Sequence, residues 1–562
     1  MMRLIGTNEF LRREWVMRAG MQVNINVLDL RDDETIEYAI LSHRWIDAEV
    51  SYEEMVDLAM VEKGKRDEIR GRLGYKKILD TCRQAQKDGY EWVWVDTCCI
   101  DKRNSAELSE TINSMYRWYG KAKACYTYLH DVDGPSFPTE QDREKYPKWN
   151  GWPEWFSRGW TLQEMIAPID VQFFNENWQP IGTKKALATT LSEITGVPER
   201  ILTDGLDGNC PCVAQIMSWA ANRTTTRVED RAYSLMGLLD VNMPMLYGEG
   251  KKAFHRLQLE IIRSSNDQSI FAWGHAASNV RIGSILADDP SSFRDCSYMM
   301  PLDDDTFIRQ SKQTIPGLRL VDTESDDGVF LVTKRGIQIR MLLCPYRGSK
   351  FIFRAYLPCQ FHGSLVTINL VLWNSYYYRY PNARKADLGD STEFHQVYLR
   401  YQDTPNHAVT FDIDGSGLAE NAGNFFTLTN ANPFHVETYS EKQGNGCFKV
   451  VFGQCLGQDW LYLADFPPGA VPNIDEEALI AQGPDRALPV SNTFRVFEYH
   501  GLWIRHFHLP GSWVVRIYRV VEERSKIRLR IEMFQDSHFR SALDKWELCL
   551  VDVSDFLVHM DC

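Results

Sequence analysis

The fold is decided first by Tyr38-Ala-Ile-Leu-Ser-His-Arg-Trp45, a short apolar run that ends in polar residues. This pattern is typical of a buried strand that opens into a loop. Working outward, similar strands are predicted at 92–95, 124–129 and 171–174, and helical spacing of apolar residues predicts helices at 75–87, after a cap at Ser105, and at 159–167. Strands that alternate with helices predict an α/β fold with a parallel sheet covered on both faces.

Polar residues follow the first two strands of this sheet. In parallel sheets the ligand crevice lies at the carboxyl ends of the strands. That rule selects two sets that should converge: Ser42, His43, Arg44 and Trp45 after the first strand, and Asp96, Thr97, Cys98, Cys99 and Asp101 after the second. Neither strand is followed by G-x-G-x-x-G, and the chain has no G-x-x-x-x-G-K-[ST] element, so hydride transfer and NTP hydrolysis are disfavoured.

A third polar element is the run Trp155-Phe-Ser-Arg-Gly-Trp160-Thr-Leu-Gln-Glu164-Met-Ile-Ala-Pro168. Trp160 and Glu164 are four residues apart and share one helix face. A carboxylate beside an indole can hold sugar hydroxyls and a developing cation while the ring covers a flat heterocycle. The pair therefore suits cleavage of an N-glycosidic bond, although Trp160 as a core residue and Glu164 as a solvated one remain the alternative.

The other selected residues also have purely structural interpretations. Arg44 could pair with Asp47 or Glu49, His43 could be a satisfied loop histidine, and Asp96 could cap a turn. Cys98 could be a small buried hydrophobic residue. A nucleophilic Cys98 with His43 as its base is a rival within the same cleft, but the sequence supplies no third group to orient the base.

Composition sets the outer bounds. With 562 residues, 44% of them hydrophobic and 25% charged, the chain is expected to form two to four globular domains. The formal net charge of −14 disfavours nucleic-acid binding. No secretory signal or membrane-spanning run is evident, and the 13 cysteines lack the spacing of a disulfide scaffold, so the cytosol is the expected compartment. Cys210-Pro-Cys212 is interpreted as loop thiols, and no metal is expected.

The pattern changes along the chain. Residues 201–275 read as a helical extension of the α/β core at 1–200, and its charged cluster from Arg223 to Arg231 is interpreted as an ion-pair network that could also anchor a partner domain. The Tyr247-Gly-Glu-Gly250 segment is interpreted as a turn, since its acidic residue would repel an anion. Alternating apolar residues at 276–562 predict a β-rich domain, sandwich-like or barrel-like.

Several motifs in this order closely resemble the fungal heterokaryon-incompatibility (HET) domain family over roughly the first half of the chain. They are the runs at 38–45, 90–102 and 155–168, followed by Arg227-Val-Glu-Asp-Arg-Ala-Tyr-Ser-Leu-Met-Gly-Leu238 and Tyr247-Gly-Glu-Gly250. The segments also resemble, more distantly, the TIR domain, whose plant members carry W-C-L-x-E-L with a glutamate needed for NAD cleavage. Here Thr161 replaces the Cys of that pattern and Met165 its last Leu.

This resemblance implies a TIR-like, flavodoxin-like core that hydrolyses NAD at the nicotinamide–ribose bond and causes cell death. It implies Glu164 as the catalytic residue and NAD as substrate, with no cofactor. The expected substrate contacts are Ser42, His43, Arg44, Trp45, Asp96, Cys98 and Trp160. Expected partners are further copies of the chain on activation and an upstream protein trigger, with the β-rich domain regulating. The alternative is a non-catalytic scaffold that self-associates and recruits a separate death effector.

Overall fold

The structure is a computed structural model that describes residues 1–21, 25–46, 48–206, 208–276, 280–281, 283–315, 318, 330–346, 352–373, 375–380, 388–389 and 391–402. Beyond residue 402 it describes the backbone of the strands given below. The chain divides into two compact units. The first comprises residues 1–273, 286–307 and 358–366, and the second comprises residues 274–285, 308–357 and 367–562.

The first unit is built on a seven-stranded sheet with the order β2-β1-β4-β3-β5-β6-β7. Its strands are β1 (Met2–Gly6), β2 (Leu28–Arg31), β3 (Ala39–His43), β4 (Trp92–Trp94), β5 (Ala124–Tyr128), β6 (Val171–Phe174) and β7 (Pro180–Thr183). The four central strands are parallel, as predicted. The prediction of a purely parallel sheet is wrong at both edges, because β1, β2 and β7 pair antiparallel.

The order of the four parallel strands positions the site. In the chain these strands follow one another as β3, β4, β5 and β6, and in the sheet they lie in the order β4-β3-β5-β6. Doubly wound sheets of flavodoxin-like order share this arrangement and bind ligands where the order reverses, beside the first strand. Here the reversal falls at the carboxyl end of β3, which carries Ser42 and His43.

Helices cover the sheet on both sides. The helices of the first unit are, in chain order, α1 (Thr7–Arg18), α2 (Tyr52–Asp57), α3 (Lys63–Gly71), α4 (Leu73–Lys87), α5 (Ser105–Lys121), α6 (Thr161–Ile166), α7 (Ala188–Thr195), α8 (Glu199–Asp204), α9 (Val213–Ala220), α10 (Asp230–Tyr233) and α11 (Lys252–Ser264). A further helix, α12 (Asp304–Thr314), begins in the first unit and continues into the second. The predicted cap of α5 is wrong by one residue. The Asn104 side chain accepts hydrogen bonds from the amides of Ala106 and Glu107 at 3.1 and 3.3 Å, which makes Ser105 the first helical residue.

The core explains why β3 reads as an unbroken apolar run. All five of its residues are buried, because helices pack on both faces of the sheet. On one face Trp94 makes edge contacts with Trp118 and Tyr119 of α5, with ring centroids 5.8 and 5.9 Å apart. Such pairs stabilise by about 0.5–1.5 kcal/mol beyond the area that they bury.

The helical extension includes residues beyond 275. Gln258 of α11 donates to the carbonyl of Ala287 at 2.8 Å, and Arg231 forms two hydrogen bonds with Asp289 at 2.7 and 3.1 Å. A 3-10 helix at Pro290–Cys296 contributes the fully buried Phe293. Residues 286–307 therefore complete the core of the first unit.

The second unit is rich in β-strands. Its first sheet, most of which belongs to this unit, is barrel-like with the order β11-β12-β13-β14-β10-β9, closed by the pairing of β10 with β11. The end of β11 and the start of β12, within residues 358–366, are assigned to the first unit. The strands are β9 (Leu331–Thr333), β10 (Gly336–Pro345), β11 (Ile352–Phe361), β12 (Ser364–Trp373), β13 (Tyr376–Tyr380) and β14 (Glu393–Leu399). A short strand β8 (Met299–Pro301) pairs with residues 359–361, all within the first unit.

Two more sheets follow in the second unit, with the orders β16-β15-β23-β22-β21-β20 and β17-β18-β19. They contain β15 (Val409–Asp414), β16 (Asn424–Leu428), β17 (Phe434–Ser440), β18 (Cys447–Cys455), β19 (Gln458–Asp465), β20 (Phe497–Tyr499), β21 (Leu502–Leu509), β22 (Trp513–Glu523) and β23 (Lys526–Gln535). The β-rich character predicted for residues 276–562 is therefore observed, with α12 as a helical exception. No helix among the described residues is long and apolar enough to cross a membrane.

Candidate functional site

A cavity of about 330 Å³ opens at the carboxyl ends of β3 and β4 in the first unit. Its volume lies within the range of small-molecule sites. One side is apolar and comes from the loop after β4 and from α5; the other sides are charged and aromatic. The lining residues are His43, Trp45, Asp96, Ile100, Lys102, Leu108, Thr111, Ile112, Met115, Arg158, Trp160, Glu164, Thr226, Arg227, Asp230 and Tyr247.

Glu164 is the buried acid of this cavity. It lies in the first turn of α6 and is only 4% exposed. The hydroxyl of Ser42, which is 122 residues away in sequence, donates to its Oε2 at 2.5 Å. Trp155 in turn donates its indole N–H to the Ser42 oxygen at 2.9 Å. Ser42, at the end of β3, therefore holds the Glu164 carboxyl group in a fixed orientation while lying outside the cavity lining itself.

Burial determines the charge of Glu164. Removal from water, together with the nearby negative charge of Asp96, raises the pKa of Glu164 to about 8. The Ser42 hydrogen bond and the positive charge of Arg158 oppose this shift without cancelling it. At neutral pH the free site therefore holds a protonated Glu164, and a cation placed beside it would favour loss of that proton.

Asp96 is the ionised acid of the same cavity. Burial would raise its pKa, but hydrogen bonds from His43 and Trp45 outweigh burial and lower the pKa to about 2. Its two oxygens lie 2.9 Å from His43 Nε2 and 2.7 Å from Trp45 Nε1. Burial and the charge of Lys77 lower the pKa of His43, so its ring is neutral and donates through Nε2–H. Asp96 therefore orients the imidazole of His43, at the end of β3, and the indole of Trp45, which follows that strand.

Trp45 is held from a second direction. The Lys102 ammonium nitrogen lies 3.6 Å from the centroid of its ring, which is the geometry of a cation–π contact. The ring is 40% exposed. The indole thus stands at the cavity with its orientation set by Asp96 and Lys102.

Part of the lining comes from residues that were interpreted from the sequence as structural. Arg227 and Asp230 line the cavity together with Tyr247. Asp230 accepts a hydrogen bond from the Tyr247 hydroxyl at 3.0 Å, and Trp160 also bonds to this carboxyl, whose pKa is raised by burial. The indole of Trp160 is therefore positioned in the cavity lining by an acid on another element.

The two late motifs bind each other through their polar side chains. Glu229 accepts hydrogen bonds from the amides of Gly248 and Gly250 at 2.8 and 3.0 Å. Tyr233 donates its hydroxyl to Glu249 at 2.9 Å. Glu249, the acidic residue of the turn, therefore stabilises the fold. The hydrogen bonds between the two motifs bring Tyr247 close to Arg227 and Asp230, and pairing of these motifs is the sequence signal that could have predicted this.

The predicted site residues separate into two groups. His43, Trp45, Asp96, Trp160 and Glu164 line the cavity. The other three lie outside its lining: Ser42, Arg44 and Cys98. Arg44 extends toward Glu154 and forms an ion pair at 2.8 Å, whereas Glu49 pairs with Lys77 and Asp47 lies outside the described residues. The sequence analysis also missed Lys102 and Arg158 as cavity residues.

The Cys98 thiol is fully buried, and burial raises its pKa well above the usual range. Such a thiol is not an activated nucleophile. No group of three or more His, Cys, Asp or Glu side chains that could hold a metal ion occurs in the described part of the chain. In the Cys210-Pro-Cys212 segment, the Cys210 thiol is exposed. The Cys212 thiol is buried and lies 3.6 Å from the carbonyl oxygen of Met299.

Comparison with known proteins supports a family assignment. Residues 38–164 match the model of the heterokaryon incompatibility protein (HET) family, and residues 252–312 match a domain of unknown function (DUF8212). The chain is similar to the vegetative incompatibility protein HET-E-1 of Podospora anserina, with 45% identity over 240 residues. This stretch is 42% of the chain but 17% of that protein, and no solved structure matches. Residues 38–164 contain the motifs from His43 to Glu164 that line much of the cavity, and the chain carries a HET domain over these residues.

Proposed function

We propose that this chain is an effector of incompatibility-type cell death and that its cavity hydrolyses NAD at the nicotinamide–ribose bond. The similarity to a vegetative incompatibility protein supports the cellular role. The observation that carries the chemistry is a buried glutamate whose pKa is raised to about 8, held by Ser42 in a cavity that also contains the Trp160 indole. The distant TIR resemblance points to the same residue.

The reaction needs little acid catalysis, because nicotinamide leaves from a pyridinium. The bond between the ring nitrogen and the ribose C1′ breaks, its electron pair goes to the ring, and neutral nicotinamide departs. The oxygen of a water molecule then bonds to C1′ and one proton is released, which gives ADP-ribose. The protein must therefore stabilise a sugar cation, as in glycoside hydrolysis.

Glu164 suits this task because its charge depends on the ligand. An opposite charge within about 4–6 Å favours the ionised form of a carboxyl group. The positive nicotinamide ring, bound against Trp160 and the apolar side chains of Ile112 and Met115, would lower the pKa of Glu164 and expel its proton. The resulting carboxylate would bind the ribose hydroxyls and the developing cation in a site with little competing water.

The test is to incubate the purified full chain with NAD and to measure free nicotinamide. We expect release by the parent protein and at least a hundredfold slower release by Glu164→Gln, which keeps the shape but not the charge. Glu193→Gln is the matched control, because Glu193 is an exposed glutamate on α7. Equal rates for the parent and Glu164→Gln would refute the assignment. A parent that is inert, alone and when clustered, would favour the non-catalytic scaffold.

A further inference from the structure

The charged wall of the cavity carries a second assignment: we propose that Arg158 and Arg227 bind the diphosphate of the dinucleotide. The assignment rests on the proposed function, since it concerns the same substrate, and it goes beyond that function by naming an anion subsite. Both side chains line the cavity, Arg158 from the segment before α6 and Arg227 from the segment before α10. Neither was singled out as a substrate contact from the sequence.

Neither guanidinium group forms a salt bridge, although the charge of Arg158 acts on Glu164 and that of Arg227 on Asp230 over longer distances. Other arginines of the first unit form ion pairs, as Arg44 does with Glu154, Arg231 with Asp289 and Arg256 with Glu249. Among the described residues, no carboxylate oxygen lies within 4.0 Å of the guanidinium nitrogens of Arg158 or Arg227. Two unpaired guanidinium groups on one cavity provide planar, permanently charged donors that match phosphate oxygens.

Backbone pairing brings together the two segments that carry the arginines. The segment at 157–159 pairs with Thr224: the Gly159 amide donates to the Thr224 carbonyl at 2.8 Å, and the Thr224 amide donates to the Ser157 carbonyl at 2.6 Å. Arg158 is thus opposite Thr224, three residues before Arg227. The buried Arg223 guanidinium reinforces the junction by donating to the Arg158 carbonyl at 2.9 Å.

Gly159 makes this close approach possible. A Cβ atom added at this position would lie 2.6 Å from the Thr225 methyl carbon. A larger residue would push the two segments apart and separate the arginines.

Arg227 is oriented by an aromatic ring, with no salt bridge among the described residues. Its guanidinium carbon lies 4.3 Å from the centroid of the Tyr247 ring. Stacking on an aromatic face fixes the plane of the guanidinium group and leaves its N–H donors free for a ligand. Tyr247 is itself fixed by its hydrogen bond to Asp230 and by the bonds of Glu229 to the following glycine amides. The donor plane is therefore formed before any ligand binds.

The distribution of charge fits a dinucleotide with a positive ring and a negative linker. Glu164 and Trp160 stand beside the apolar wall, where a nicotinamide ring would be accepted. Arg158 and Arg227 offer positive charge at the same cavity, where the diphosphate would follow the ribose. Arg44, which the sequence predicted for this contact, is neutralised by Glu154 instead.

The test measures binding of ADP-ribose to the full chain by titration calorimetry, so that no catalysis is needed. We expect Arg158→Ala and Arg227→Ala each to weaken binding about tenfold or more, because each removes a charge-assisted hydrogen-bonding group. Arg227→Lys, which keeps the charge but loses the planar fork, should fall between the parent and Arg227→Ala. Arg200→Ala on the exposed face of α8 is the control and should bind like the parent.

Three results would overturn the subsite. They are parental affinity in both alanine variants, an equal loss in the Arg200 control, and absence of ADP-ribose binding by a parent protein that unfolds cooperatively. Inorganic pyrophosphate should bind at least tenfold more weakly than ADP-ribose; equal affinity would also overturn the subsite, by assigning the arginines to free diphosphate. Arginine-dependent binding of ADP-ribose by a parent protein that does not cleave NAD would sustain the subsite and refute the hydrolase.

Discussion

Replacement of Glu164 by Gln should stabilise the protein at neutral pH while it abolishes NAD cleavage. The amide is nearly isosteric, and its carbonyl oxygen can still accept the hydrogen bond from Ser42. Shape alone therefore predicts an unchanged free energy of unfolding. The raised pKa of Glu164 instead predicts that the variant has a larger free energy of unfolding, because the parent's folded state holds a carboxyl group that resists ionisation and the variant has no such group.

The magnitude follows from the pKa in the two states. The carboxyl group has an ordinary value of 4.5 in the unfolded chain and about 8 in the folded chain. Below 4.5 both states keep the proton, and between the two values only the folded state keeps it. Stability therefore falls as the pH rises through this window, by about 1.4 kcal/mol for each pH unit. At pH 7 the accumulated cost is about 3 kcal/mol, and Glu164→Gln removes it.

The assay is urea unfolding of the parent and of Glu164→Gln at several values from about pH 5 to about pH 8. The difference in free energy of unfolding should grow from below 1 kcal/mol at the acidic end to about 3 kcal/mol near pH 7. Glu193→Gln, which removes an exposed carboxylate, controls for net charge and should follow the parent. Parallel curves for the parent and Glu164→Gln would refute the argument that burial controls this group.

Four further predictions follow from the same contacts. If ionised Glu164 is the active form, kcat/KM for NAD should fall as the pH drops below about 8, because Glu164 takes up one proton; a flat profile would contradict this role. Arg44→Ala should leave the Michaelis constant for NAD within about twofold, because Arg44 pairs with Glu154 outside the cavity lining; a large rise would restore its predicted diphosphate contact. Gly159→Ala should cost about 1–3 kcal/mol through its clash with the Thr225 methyl group, and adding Thr225→Ser, which removes that methyl group, should recover most of the loss in thermal unfolding. Finally, if clustering activates the site, specific activity of the full chain should rise with protein concentration in parallel with light scattering, and constant activity of a monomer would refute this.

Local pattern was sufficient for the four parallel strands of the first unit. The strands at 39–43, 92–94 and 171–174 lie within one residue of their predicted positions, because buried parallel strands read as short apolar runs with polar ends. The rule that such ends converge also succeeded: His43 and Asp96 follow different strands and meet at 2.9 Å. The antiparallel pairing of β1, β2 and β7 could not be read in this way, because periodicity identifies an element and not its neighbour in the sheet.

The sequence by itself determined the strands, the crevice at their ends and the helical pairing of Trp160 with Glu164. Only the tertiary structure decided which side chains meet in that crevice. Arg44 forms an ion pair with Glu154, and Cys98 is buried. The cavity wall around Arg227 belongs to a segment that pairs with residues 157–159. The physical reason is that hydrogen bonding and desolvation depend on atoms far apart in the chain. The charge of Glu164 is set by burial and by Asp96, Ser42 and Arg158, and no local pattern brings those groups together.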